Sequence, residues 1–373
     1  MGSVSAACLA KLGHEVTGVD TDIHKVGCIN SGKAPFYEPE LDDLIADGVS
    51  AGRLNAVSQL EPELGNADIC MICVGTPSTA EGNLDLTYLR RVTEDIAKLL
   101  KGRERRLIIS IRSTVFAGIN EQIYNEVFGR DERVVMIANP EFLREGSAVK
   151  DFLKPSLIVV GGEDMEGVEQ VASVYADLGH PVERVSIRTA EMIKYACNAY
   201  HAVKVSFANE IGSLCRETGV DGREVMRVLC EDRKLNVSSA YLKPGFAFGG
   251  SCLPKDLRTL NVRGKQMGLD TPLLGHVLPS NEAHLRRIIS RIQELQTDRL
   301  GIYGLAFKEN TDDLRESPVV KMIEVLISSG RALRIHDPHI DLEKVYGSNQ
   351  RYLLQTISNV GRLMLNDLTK FLE

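Results

Sequence analysis

Short apolar runs that stop at Gly, Pro, Ser, Thr or Asp, separated by helical stretches, fill the first half of this chain, and few folds accept that alternation. Ser3 to Leu12 reads as a helix of small residues and His14 to Val19 as a strand ending at Asp20. Asp68 to Val74 reads as a strand running into Gly75-Thr76-Pro77, and Leu107 to Ile111 as another ahead of Ser113-Thr114. Further strands are expected at Val134–Ile137 and Leu157–Val160. Parallel strands need helical crossovers, so the pattern predicts a doubly wound, Rossmann-like α/β lobe.

Between Thr189 and Gly219 the only internal Gly or Pro is Gly212. A helix of that length spans about 45 Å at 1.5 Å per residue, too long for a loop connector. It predicts a central helix joining two lobes, whose exposed apolar positions would form a homodimer contact. Arg299 to Leu305 then opens a second α/β unit, with a helix over Pro318 to Gly330 and a strand over Leu333 to His336. The expected domains are 1–188, 189–292 and 293–373.

A formal charge of −7 excludes a general nucleic-acid binder, because phosphate backbones demand a basic footprint. An anionic ligand must instead be met by a local cluster of Lys and Arg. No apolar run reaches membrane-span length and the opening M-G-S-V-S-A lacks a charged leader, so no membrane partner and a cytoplasmic location are expected. The eight cysteines are scattered, which suits reduced thiols. Cys70 and Cys73 would point to opposite faces of a strand, so no metal site is expected.

A dinucleotide site wants a strand, G-x-G-x-x-G, a helix and a second strand ending in an acid. Asp20 is that acid, with Lys25 just beyond, and Gly2 fits the third glycine. The first strand and first two glycines are not present, so the first lobe is expected to lack its first strand and NAD to bind poorly; no strand follows the last helical stretch, so the second lobe is expected to be incomplete. Thr76 and Thr114 follow strands at the edge where α/β ligands bind.

The string Gly245 to Asp256, G-F-A-F-G-G-S-C-L-P-K-D, carries the chemistry. Glycines let backbone N–H groups approach a substrate, Lys255 favours the thiolate of Cys252, and Asp256 is an acid/base candidate. Asn139 to Gly146, N-P-E-F-L-R-E-G, sets Glu141 and Glu145 four apart after a strand. Lys194, Asn198 and His201 share one face of the long helix, able to grip a sugar and a developing oxyanion. Lys308 to Pro318, K-E-N-T-D-D-L-R-E-S-P, offers Lys308 and Arg315, diluted by Asp312, Asp313 and Glu316. Taken singly, these strings also suit a turn, a helix start, a polar stripe and a charged capping segment.

Together, and in this order, they resemble the UDP-glucose/GDP-mannose dehydrogenase family, most of all its GDP-mannose branch. The resemblance implies NAD-dependent, four-electron oxidation of a nucleotide sugar at C6. It implies Cys252 as covalent nucleophile, Lys194 and Asn198 as oxyanion donors, Asp256 as water or proton handler, and Glu141 with Thr114 on the hydrolytic water. NAD would be met by Gly2, Asp20, Lys25, Thr76, Thr114, Lys255 and Arg315. The sugar nucleotide would be met by Glu145, Lys194, Asn198, His201, Asn209, Tyr241, Lys243, Phe246 and Lys308. Ala240 stands where some GDP-mannose enzymes have tyrosine, and Lys243 replaces Arg, keeping the charge without the bidentate fork. The alternatives are a UDP-glucose or UDP-N-acetylhexosamine substrate, and an inactive remnant.

Overall fold

The computed structural model describes residues 1–373 except 61–62, 101–102, 218, 234–243, 267, 269–270, 296, 298, 309–310, 341, 343–346, 358–359 and 373. The chain divides into two units, Met1–Ala196 and Cys197–Glu373. In the first, α1 (Gly2–Lys11), β1 (Val16–Val19), α2 (Ile23–Asn30), α3 (Leu41–Ser50) and β2 (Leu54–Val57) come first. Then follow β3 (Ile69–Ile72), α4 (Thr87–Leu99), β4 (Leu107–Ile111), α5 (Ile119–Glu126) and β5 (Val134–Ala138). The unit closes with α6 (Ala148–Leu153), β6 (Ile158–Gly162), α7 (Met165–Ser173), β7 (Val182–Val185) and the start of α8 (Ile187–Glu217).

Strands β3 to β7 form one sheet in sequence order, while β1 and β2 pair in parallel as a separate ribbon. Every residue of β4, β5 and β6 is buried, as expected of strands covered on both faces. The sheet departs from the all-parallel expectation at one place: β6 runs antiparallel to β5, pairing Ile137 with Gly162. A single core spans ribbon and sheet, with Val4, Ala7 and Cys8 of α1, Leu41 and Ile45 of α3, and Ile137 and Val160 of the sheet. The small residues of α1 make that approach possible.

The sequence-derived strands are recovered with ends that move by up to two residues, β1 and β3 shorter than expected, β5 and β9 longer and β4 unchanged, but β2 and β7 were not read. Each has four residues, and β2, L-N-A-V, lacks a β-branched run. The long helix starts two residues before Thr189, at Ile187, and ends at Glu217; Gly219 at φ 70° turns the chain away.

In the second unit, the remainder of α8 is followed by α9 (Gly222–Glu231), α10 (Leu253–Gln266) and α11 (Pro272–Glu294). Then β8 (Arg299–Tyr303) and β9 (Ala332–His336) pair in parallel around α12 (Pro318–Ser328), and α13 (Gly347–Thr356), α14 (Val360–Leu363) and α15 (Leu368–Leu372) end the chain. Leu305, Leu314, Ile323, Leu326 and Ile335 build this αβ core. Among the described residues no helix is long and apolar enough to cross a membrane.

Gly161 seats the first turn of α8 on β6: a Cβ there would lie 2.5 Å from Ala190 Cβ and 2.8 Å from the Ser186 carbonyl. Overpacking of this kind costs about 1–3 kcal/mol. Gly27, inside α2, has nothing within 4 Å of an added Cβ. Gly161→Ala should therefore lower the urea midpoint, while Gly27→Ala should leave it unchanged or raise it, Ala being favoured in a helix by up to about 1 kcal/mol. Equal behaviour of the two variants would contradict this account of how α8 is seated.

Candidate active site

In the first unit, the expected site residues gather where strands end. Asp20, directly after β1, accepts the Asp22 N–H at 2.9 Å and pairs with Lys25 at 3.3 Å. Gly2 opens α1, and a Cβ on it would lie 3.4 Å from Cys73 Cβ just past β3, so the helix start rests closely on that strand's end. Thr76 Oγ1 donates to the Thr114 carbonyl at 2.7 Å and Ser113 Oγ to the Val74 carbonyl at 2.7 Å, tying together the loops after β3 and β4. A half-exposed acid at one strand end and a helix start without Cβ bulk suit a dinucleotide's ribose and pyrophosphate.

Glu141 and Lys194, which sequence spacing did not pair, form a buried ion pair at 3.2 Å. Burial alone would raise the Glu141 pKa; Lys194, the Leu143 N–H at 2.7 Å and Arg112 outweigh it and hold the carboxyl below its usual range. Lys194 is 4% exposed and lies 5.6 Å from the centre of the Phe142 ring. A cavity of about 10 Å³, room for one water, is lined by Ser113, Thr114, Asn120, Pro140, Glu191 and Lys194. Glu145 is half-buried on the same loop as Glu141.

Two carboxylates that sequence reasoning missed shape these loops. Glu38 accepts the N–H groups of Gly146 and Ala148, both at 2.8 Å. Glu191 accepts from Gly118 N–H at 2.7 Å and from the backbone and side chain of Asn120 at 2.9 and 2.7 Å. Burial pushes the Glu191 carboxyl up. Their partners lie some 70 to 110 residues away, so no local spacing reveals them.

In the second unit, Cys252 is the residue before α10, and its carbonyl accepts the Asp256 N–H at 2.9 Å. A thiol at a helix N-terminus gains stabilisation of its thiolate from the backbone dipoles. That helix start was not read from the sequence, although Pro254 and Asp256 in L-P-K-D are first-turn signals. Cys252 is exposed, whereas burial pushes Cys8 and Cys70 up to about 12. Cys73, expected within β3, lies one residue beyond its end, and burial raises it too. Asp256, 1% exposed, meets Lys255 at 3.1 Å and the Asn198 amide at 2.5 Å.

The loop ahead of Cys252 is clamped from below. Asn209 accepts the Gly245 N–H at 2.9 Å and donates to the Phe246 carbonyl at 3.3 Å. Asn281 accepts from Phe248 N–H at 2.9 Å and returns a bond to its carbonyl at 2.8 Å, while His284 Nε2 meets the Gly245 carbonyl at 2.9 Å. Asn281 and His284, both on α11, were not singled out from sequence. A Cβ on Gly249 would lie 2.4 Å from the Glu316 carbonyl, and one on Gly250, at φ 83°, 2.8 Å from the Phe307 ring. Only glycine fits at both places.

Arg315 donates to Ser251 Oγ at 3.3 Å and is held by Asp313 at 2.6 Å. Lys308 is half-buried with its Nζ 5.4 Å from the Phe307 ring centre, His201 is half-buried on α8, and Phe246 is exposed. Tyr241 and Lys243 lie outside the described residues.

Residues 1–179 match the NAD binding domain of the UDP-glucose/GDP-mannose dehydrogenase family, 188–283 its central domain and 301–364 its UDP binding domain. GDP-mannose 6-dehydrogenase of Pseudomonas aeruginosa is 42% identical over 99% of this chain and 86% of its own length. UDP-glucose 6-dehydrogenase of the same organism is 36% identical over 91% and 77%. Of solved structures, a UDP-glucose dehydrogenase from Pyrobaculum islandicum superposes with a TM-score of 0.89 at 33% identity, covering 100% of this chain and 85% of that one. A ternary complex of GDP-mannose dehydrogenase from Pseudomonas aeruginosa gives 0.62 at 41% identity, covering 99% and 86%. With three consecutive domains matched and a curated relative 42% identical over nearly the whole chain, the chain belongs to the UDP-glucose/GDP-mannose dehydrogenase family of NAD-dependent nucleotide-sugar dehydrogenases.

Proposed function

We propose that this chain oxidises the C6 alcohol of GDP-mannose to the carboxylate of GDP-mannuronate through a covalent intermediate on Cys252. The observation that carries this reading is the exposed thiol at the N-terminus of α10, one helical turn from buried Asp256 and its partner Lys255. Bound NAD supplies the hydride acceptor for both two-electron oxidations. Cys252 adds to the C6 aldehyde, and the thiohemiacetal becomes a thioester that water hydrolyses. Lys194 and Asn198 stabilise the oxyanions, Asp256 orders a water or takes a proton, and Glu141 with Thr114 prepares the hydrolytic water.

Gly2, Asp20, Lys25, Thr76, Thr114, Lys255 and Arg315 are assigned to NAD. Glu145, Lys194, Asn198, His201, Asn209, Tyr241, Lys243, Phe246 and Lys308 are assigned to the nucleotide sugar. Asn209 would act through the loop it braces, since both amide atoms are engaged there.

Cys252→Ser should abolish formation of the uronic acid, and Lys194→Ala should lower kcat by roughly a hundredfold, as loss of a preorganised donor does. Acid production by the serine variant, measured by mass spectrometry of the products, would sink the covalent assignment.

A UDP-sugar substrate is the second reading, favoured by the TM-score of 0.89 to a UDP-glucose dehydrogenase; the 42% identity to a GDP-mannose 6-dehydrogenase weighs more, because at similar coverage that structure is 33% identical and a UDP-glucose 6-dehydrogenase 36%. Steady-state kcat/KM should be higher for GDP-mannose than for UDP-glucose, and the reverse order would transfer the chain to the UDP branch.

We also infer a homodimer through α8, where Tyr200 and Phe207, seven residues apart on one face, are 48% and 44% exposed. Light scattering after gel filtration should give twice the 41.1 kDa chain mass, and Phe207→Glu should reduce it to one. A wild-type monomer would refute the assignment.

A further inference from the structure

We propose that Arg112 is a positioning residue for water activation, joining the strand ends that carry Thr114 and Glu141 and facing Glu141 with a second buried cation. The proposal rests on the hydrolytic role assigned above to Glu141.

Arg112 directly follows β4 and is 5% exposed. Its Nη1 donates to Asn139 Oδ1 at 2.7 Å and to Tyr175 Oη at 2.5 Å, and the Tyr175 hydroxyl donates to the same Asn139 oxygen at 2.5 Å. Asn139 Nδ2 donates onward to the Val159 carbonyl of β6 at 2.8 Å. The Arg112 backbone N–H reaches back to the Ile72 carbonyl of β3 at 2.9 Å, and Asn139 N–H to Ile111 of β4 at 2.9 Å. The side-chain network therefore ties the ends of β4 and β5 to β6, two residues before Thr114 and two before Glu141, and the backbone bonds join the same residues to β3 and β4.

A buried guanidinium is costly unless an anion answers it. Among the described residues no carboxylate lies within ion-pair distance of Arg112; the carboxylate its charge acts on is Glu141, on the wall of a shared cavity of about 30 Å³. That volume holds about two waters. Lys194 has two anions to serve, Glu141 at rest and an oxyanion during reaction. Arg112 is fixed in place and stays protonated, so it keeps Glu141 company when Lys194 is drawn to the substrate.

In the hydrolytic step the oxygen of water bonds to the acyl carbon, one of its protons passes to a base, and the C–S bond breaks with its electron pair on Cys252 Sγ. Nothing is oxidised or reduced. Glu141 can be that base only as a carboxylate. The groups facing it are Lys194 from α8, Arg112 after β4, Cys73 after β3, and, on the shared cavity, Tyr175 and Asp151. Burial raises Cys73 and Tyr175 and leaves both neutral, and Asp151 is held charged by Arg144. Removing Arg112 removes an influence that lowers the Glu141 pKa, so the acid limb of hydrolysis should move to higher pH.

The test uses the full chain with GDP-mannose and NAD under rapid quench, with intact mass reporting acyl-Cys252. Arg112→Met should accumulate acyl-enzyme, slow hydrolysis about tenfold or more at neutral pH, and shift its acid limb upward. Arg112→Lys, which retains charge but not the fork, should slow hydrolysis with the limb in place. An infrared titration of the Glu141 carboxyl band, identified with Glu141→Gln, should show the same upward shift in Arg112→Met without substrate or NAD. A folded Arg112→Met with unchanged hydrolysis and an unmoved band would overturn the proposal. Should that variant fail to fold, wild-type hydrolysis by Arg112→Lys would overturn it alone. Acid formation by Cys252→Ser would instead condemn the underlying covalent reading.

Discussion

The ion pair between Lys194 and Glu141 is the interaction on which the first unit's site depends. Both side chains are almost wholly buried, and taking two charges out of water costs several kcal/mol per ion before attraction and hydrogen bonds offset it. An apolar pair would serve stability at least as well. What the ion pair provides is a cation and an anion of fixed direction in a place where solvent cannot screen them. Its geometry needs α8 seated at one height against the sheet, and that height is set by Gly161, where the helix backbone comes within a side chain's width of β6. A backbone contact thus controls an electrostatic one.

The second unit solves a different problem, how to present a thiol on a loop without letting the loop wander. Loops rich in glycine lose more entropy on ordering than others do. Here the cost is met by polar clamps from Asn209, Asn281 and His284, each holding backbone groups of the loop. The pair Gly249-Gly250 then lets the segment lie against the Glu316 carbonyl and the Phe307 ring. Glu316 is itself at φ 52°, an uncommon conformation for a residue with a side chain, and strain of this type collects at functional sites.

Much of this was legible in the sequence, because strand ends and helix starts leave local marks. The runs ahead of Asp20, Thr76, Thr114 and Glu141 are apolar and stop at turn formers, so the strand ends that carry these residues could be drawn from them. The thiol loop announced itself through its glycines. What stayed hidden depends on contacts between distant positions. Glu38 looks like one more surface acid until Gly146 and Ala148 arrive over it, and nothing near Asn281 or His284 tells that they grip a loop more than 30 residues away. The antiparallel turn of β6 was invisible for a similar reason: strand direction is a property of the pairing, and residues 158–162 read the same either way. Tyr241 and Lys243 lie outside the described residues, so those two readings stand on sequence alone.

The acids of the segment K-E-N-T-D-D-L-R-E-S-P show how a sequence can mislead about charge. Read linearly, they dilute the positive potential that an anionic ligand needs. In the fold they aim it. Asp313 accepts from Arg315 through both Nε and Nη2, turning the guanidinium so that it also reaches Ser251 beside Cys252. Glu316 holds Arg258 of α10 with two bonds of 2.8 and 2.6 Å. A bidentate carboxylate fixes the plane of an arginine more firmly than a solvated side chain could, and most of that order is paid before any ligand arrives. A protein with net charge −7 can therefore keep oriented cations next to its thiol loop, since what counts for an anionic ligand is the direction of a few local donors rather than the sum over the surface.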